Sequence, residues 1–149
     1  MKTPKIYLYL VLWLFLIHGA TAQDLIIKQS DNNQKVTIDK LKSEMKSRGL
    51  NVVQHVKHSE AAKKVNLDLS PADVIIFGNP EVGTKLMQAD PKVAIELPLK
   101  ILIWEEKGVT NVAFHDPNRL LQSYQLENQK EILGNMRQML DAITNEAIR

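Results

Sequence analysis

Apolar residues along this chain fall into two rhythms. Five short runs dense in β-branched and aromatic residues predict strands: Leu25-Ile26-Ile27, Leu50 to Val56, Asp73 to Phe77, Leu99 to Trp104 and Val109 to Phe114. Two longer stretches carry apolar residues three and four apart. Ile38, Leu41 and Met45 form one stripe between about Gln34 and Arg48. Ile132, Leu133, Met136, Met139, Leu140, Ile143 and Ala147 form another between about Asn128 and Ile148. Both predict amphipathic helices. Shorter helical pieces are expected from Glu60 to Val65 behind a Ser59 cap, at Gly83-Thr84 with Thr84 as cap, from Val93 to Leu97, and after Asp116-Pro117.

The punctuation fits these elements. Ser30-Asp31-Asn32-Asn33 offers turn and cap chemistry before the first long helix, and Gly49 stops it in a left-handed position. Gly78-Asn79-Pro80 ends the third strand. Glu105-Glu106-Lys107-Gly108 reads as a hairpin turn between the fourth and fifth. The order is strand, helix, a group of strands, then helix. It predicts an α+β two-layer sandwich, with a mostly antiparallel sheet and helices on one face.

The N-terminus changes the picture of the compartment. Lys2 and Lys5 precede an apolar run from Ile6 to Ile17, and Ala20-Thr21-Ala22 is an A-x-A cleavage site. Residues 1–22 therefore read as a signal peptide on an exported protein, periplasmic or secreted, with no membrane segment after cleavage. Removing 22 residues from 149 leaves a single domain, 23–149. Two of the 19 basic residues lie in the leader, so 17 remain against 17 acids. A neutral chain with scattered lysines is not expected to bind nucleic acid. There is no cysteine, which excludes disulfides, thiol catalysis and thiolate metal sites.

Few residues suggest chemistry. His18 leaves with the leader. His55, His58 and His115 lie at strand ends, and neutral imidazoles bind metals or haem, but no ligand spacing supports such a site; the plainer expectation is exposed or capping histidines and no metal. Asn79 reads either as an amide at a pocket mouth or as an Asx-turn before proline. Gly83-Thr84 at a helix start offers free N–H groups to an anion, on weak evidence. Lys100 interrupts an apolar strand. It is either a general base with a lowered pKa or a solvent-facing residue on the open side of the sheet. Glu105 and Asp116 are too far apart along a hairpin to share a site, so Asp116 reads as a cap. Met136 and Met139 fall on the helix stripe and read as core, although Met87, Met136 and Met139 are all soft-ligand types.

Four segments together resemble the domain-of-unknown-function 302 family: Phe77-Gly78-Asn79-Pro80, Gly83-Thr84 with Leu86-Met87-Gln88, Leu97-Pro98-Leu99-Lys100 through Trp104-Glu105, and Phe114 to Pro117. His58 and Ala62-Lys63 resemble a further family segment upstream. The resemblance covers roughly Asp24 to Leu121. Lys57, Asn66, Ser70 and Glu96 depart from the usual residues, and Lys57 puts an acidic partner for His58 in doubt. The resemblance implies a TATA-binding-protein-like β-α-β(4)-α sandwich and a homodimer, but no reaction. The reading that follows is a non-enzymatic binding or interaction module. Its pocket would lie near His58, Asn79, Thr84, Lys100 and Asp116 and take a small hydrophobic or anionic ligand; the cofactor is unknown. The alternatives are an enzyme using Lys100 or His58 as base and, more weakly, histidine metal or haem binding.

Overall fold

The computed structural model describes residues 25–149, so the predicted signal peptide lies outside the described residues. Five strands form one antiparallel sheet: β1 (Leu25–Ser30), β2 (Asn51–Lys57), β3 (Ala72–Gly78), β4 (Leu99–Glu106) and β5 (Val109–His115). Their spatial order is β1-β5-β4-β3-β2. Two long helices, α1 (Gln34–Ser47) and α4 (Lys130–Ile148), pack against each other and cover one face. This is the α+β sandwich expected from the residue pattern.

Alternation sorts each strand's residues between the faces. In β3, Asp73, Ile75 and Phe77 are buried, while Ala72, Val74, Ile76 and Gly78 are half-buried on the other side. Ile101 and Ile103 of β4, with Val112 and Phe114 of β5, join Ile38, Leu41 and Met45 of α1 and Leu140, Ile143 and Ala147 of α4 in the main core. Burial of such side chains stabilises the fold by about 1.5–3 kcal/mol each.

A second, smaller core lies beyond this one. Between β3 and β4 the chain inserts α3 (Pro80–Ala89) and a 3₁₀ helix (Pro91–Glu96). Leu86 and Val93 of this insertion pack with Leu120, Leu126, Leu133 and Met136. The N-terminal half of α4 thus serves the second core and its C-terminal half the first.

Several local expectations need correction. The helix expected at Gly83-Thr84 starts at Pro80, because Asn79 caps it: Asn79 Oδ1 accepts from the Glu81 N–H at 2.9 Å, and Pro80 suits the first turn. The Thr84 cap is therefore not used. The short helix α2 (His58–Lys63) begins before Ser59, with no side-chain cap. The piece expected from Val93 to Leu97 is the 3₁₀ helix Pro91–Glu96, capped by Asp90. β4 runs on to Glu106, leaving a two-residue turn with Lys107 at φ 51 and Gly108 at φ 80. Positive φ at both positions matches a twisted hairpin.

The C-terminal end of α4 is tied down. The Asp31 N–H donates to the Ile148 carbonyl at 2.8 Å, and Asn32 Nδ2 donates to the Arg149 carbonyl at 2.7 Å. Carbonyls that a helix C-terminus leaves unpaired are satisfied by the β1–α1 turn.

Candidate functional site

An open cleft of about 540 Å³ lies between the two cores, at the end of the sheet where β3 stops and β4 starts. Leu50, Asn51 and Val53 form one wall at the start of β2. Phe77 and Gly78 lead into a second wall of Asn79, Val82, Gly83, Thr84 and Met87 on α3. Ala94, Leu97, Pro98 and Leu99 close the third side. Ile132, Asn135, Met136 and Met139 contribute from α4.

Leu97 and Leu99 pack against the cores while also facing the opening. On α4, Leu133 and Leu140 are buried, whereas Ile132, Asn135, Met136 and Met139 form a neighbouring stripe at i, i+3, i+4 and i+7. That stripe is wider than the core requires, so part of it faces the cleft. Val53 is the extra residue of a β-bulge between Val52 and Gln54, and it is 61% exposed. The bulge turns this edge strand's side chain toward the opening.

Among the described residues that line the cleft there is no titratable side chain. The polar members are Asn51, Asn79, Thr84 and Asn135, all exposed. Asn79 Oδ1 accepts from the Glu81 N–H in capping α3, and its amide also carries two N–H donors. This arrangement can hold apolar matter and make neutral hydrogen bonds. It offers no base, nucleophile pair or countercharge.

The residues singled out from the sequence are only partly gathered here. Asn79 and Thr84 line the cleft; His58, Lys100 and Asp116 do not. Lys100 is exposed on the open face of the sheet, and its Nζ donates to the Pro98 carbonyl at 3.2 Å and the Glu96 carbonyl at 3.5 Å. His58 is exposed at the start of α2. Asp116 caps the 3₁₀ helix Pro117–Gln122 through Asn118 N–H at 2.9 Å, and its other oxygen accepts from Arg137 at 2.8 Å. His55, His58 and His115 stay apart, and among the described residues no three His, Asp or Glu side chains gather as metal ligands.

Among the described residues, three part-buried charge networks lie away from the cleft. Under α1, His55 Nε2 lies 2.5 Å from Asp73 Oδ2, Gln34 Nε2 donates to Asp73 Oδ1 at 3.3 Å, and Lys42 Nζ lies 3.0 Å from His55 Nδ1. Between β1 and α4, Lys28 and Arg137 converge on Asp141, at 2.8 and 2.7 Å, and both cations stand over the Phe114 ring. Burial pushes the Asp141 carboxyl up, but Arg137 and Lys28 outweigh it and hold it below its usual range. Behind the insertion, Glu96 binds Arg119 at 2.5 Å and Tyr124 at 3.1 Å. Burial raises the Glu96 carboxyl, and these two hydrogen bonds bring it below the ordinary value. Burial and the Glu96 carboxylate raise the Tyr124 phenol.

The family model described as "Domain of unknown function DUF302" matches residues 26–146. A fluoride-specific ion channel FluC 1 of Brucella suis is 37% identical over 103 residues, 68% of this chain and 41% of that protein. FluC 2 of Brucella melitensis is likewise 37% identical over 103 residues, 38% of its length. The chain thus spans about two fifths of these curated relatives. The crystal structure of an uncharacterized conserved DUF302 protein from Bacillus stearothermophilus superposes with a TM-score of 0.78 at 22% identity, covering 86% of this chain and all of that one.

Proposed function

The chain belongs to the family of DUF302 domains, and from that premise we propose that it is an exported binding module, working as a homodimer, that houses a small apolar molecule in the cleft between its two cores. The uncharged cleft of about 540 Å³ carries this reading. Its volume falls in the range of about 300–1,000 Å³ common for small-molecule sites, and such sites are mostly apolar with a few polar groups. Catalysis by Lys100 or His58 gains no support from their positions, because neither faces the cleft. The fluoride-channel name belongs to proteins more than twice as long as the shared segment. No helix among the described residues is long and apolar enough to cross a membrane, and this proposal includes no ion conduction.

The homodimer rests on the uncovered face of the sheet. Val74, Ile76, Leu102 and Trp104 are half-buried there, and Ile27 is 47% exposed. Five strands about 4.8 Å apart and seven residues long present roughly 550 Å² per copy. Two such faces give roughly 1,100 Å², near the lower bound of a specific interface.

Fluorescence of the neutral dye N-phenyl-1-naphthylamine tests the binding reading. The dye should brighten with the wild-type protein and with Lys100→Ala. It should stay dark with Ala94→Trp, which plugs the cleft from an exposed position. Equal brightening in Ala94→Trp, with its circular dichroism unchanged, would sink the assignment. Sedimentation should show a dimer that Ile27→Glu dissociates; a monomeric wild type refutes that part.

A further inference from the structure

The cleft also sorts its guests by charge and orientation, an inference that rests on the binding reading above. The polar side chains of the lining are confined to its exposed part, where they stand beside exposed apolar residues such as Val53 and Met87. Asn51, Asn79, Thr84 and Asn135 are exposed at the mouth, whereas Phe77 is fully buried and Met136 is 7% exposed. A guest that enters must therefore shed its water at the floor and can keep a polar group only at the mouth. An ionised head would meet no countercharge, because among the described residues no carboxylate, lysine, arginine or histidine lines the cleft. Unpaired charge near low-dielectric walls is disfavoured, while a hydroxyl or amide finds donors and acceptors of its own kind. Asn79 offers its N–H groups, since its oxygen is held by the Glu81 N–H, and Thr84 offers a hydroxyl that gives or accepts.

The walls also suit a chain-like tail. Met87, Met136 and Met139 line the cleft, and unbranched thioether side chains adapt to irregular apolar shapes. Each methylene placed among them strengthens binding about fourfold.

From these observations we infer that the ligand is an uncharged amphiphile, a long-chain alcohol or amide in chemical class, seated tail-first with its head at Asn79 and Thr84. This narrows the hydrophobic or anionic ligand expected from the residue types to an uncharged one.

Competition against bound N-phenyl-1-naphthylamine at neutral pH tests the inference, using decanol, decanoate and decylammonium, which share one chain length. Decanol should displace the dye at a concentration about tenfold lower than either ion. Displacement by decanoate or decylammonium at equal or lower concentration overturns the inference. If the dye binds and none of the three displaces it, the inference falls while the binding reading stands; if the dye does not bind, both fall. Asn79→Asp keeps a capping oxygen and adds a negative charge at the mouth. Decylammonium should then overtake decanol, and an unchanged order overturns the placement of the head group.

Discussion

Asp73→Ala removes a buried carboxylate from the centre of the network under α1. Asp73 is 7% exposed and accepts hydrogen bonds from His55 Nε2 at 2.5 Å and Gln34 Nε2 at 3.3 Å. Loss of a hydrogen bond to a charged group is worth about 1.5–3 kcal/mol, and the stranded Gln34 amide adds about 1 kcal/mol. Gln34 keeps its second acceptor, the Ile103 carbonyl at 3.3 Å, so the low end applies to it. The expected destabilisation is roughly 3 kcal/mol. For a domain of this size that lowers Tm by about 10 °C. His55→Ala, which leaves Asp73 its Gln34 contact, should destabilise by about 2 kcal/mol. The double variant should fall short of the sum by about 1.5 kcal/mol, because the second substitution removes a partner already lost. Urea unfolding followed by circular dichroism measures all four proteins, with m unchanged as the check that only stability has moved. Additivity within about 0.5 kcal/mol would falsify the view that the His55–Asp73 contact is energetically coupled. Dye binding in the cleft should be unaffected in every variant.

The folded-state pKa values of Glu96 and Asp141 lie below their ordinary ones, so the stability these groups contribute is present above the unfolded pKa and is lost as pH falls. Thermal melts should therefore show Tm dropping below about pH 4.5, and Glu96→Gln should make that acid limb shallower. If the limb is identical in Glu96→Gln, the Arg119 and Tyr124 contacts do not set it. Lys107 holds a positive φ of 51 that asparagine adopts more easily, so Lys107→Asn should raise stability by about 0.5 kcal/mol. Gly108→Ala, at φ 80 with nothing within 4 Å of the added Cβ, should lower it by about 1 kcal/mol through backbone strain alone. A reversed order in urea titrations would contradict the hairpin reading. Arg137→Met leaves Asp116 and Asp141 without their shared cation and should destabilise by about 1–2 kcal/mol, read as a shift in urea midpoint.

Much of the sandwich was legible because local periodicity suffices for it. Ile75 and Phe77, or Leu133, Met136 and Leu140, announce their buried faces within one element. The helix starts were less legible: Asn79 could cap or point into a pocket, and the structure shows that it does the first while standing at the mouth of the second. The cleft itself was not legible beyond Asn79 and Thr84. Its walls come from stretches near residues 50, 80, 97 and 135, and only the antiparallel order of the sheet brings them to one end. One faint signal existed: the apolar stripe of α4 is wider than a core-facing stripe needs to be. Lys100 drew attention as the single charge in an apolar run. Simple alternation sends Ile101 and Ile103 inward and Lys100 outward. The His55–Asp73 pair was invisible because it joins residues 18 positions apart on two strands whose pairing only the fold sets.

The insertion between β3 and β4 rests on its own small core, and it carries most of the cleft's α3-side and Leu97-side walls. Leu86 and Val93 share that core with Leu133 and Met136 of α4, so a change in the insertion is felt by a helix that also covers the sheet. The cleft walls are thus tied to the scaffold through the N-terminal half of α4. Substitutions within residues 79–98 should therefore change the shape of the cleft and the setting of α4 together, rather than the cleft alone.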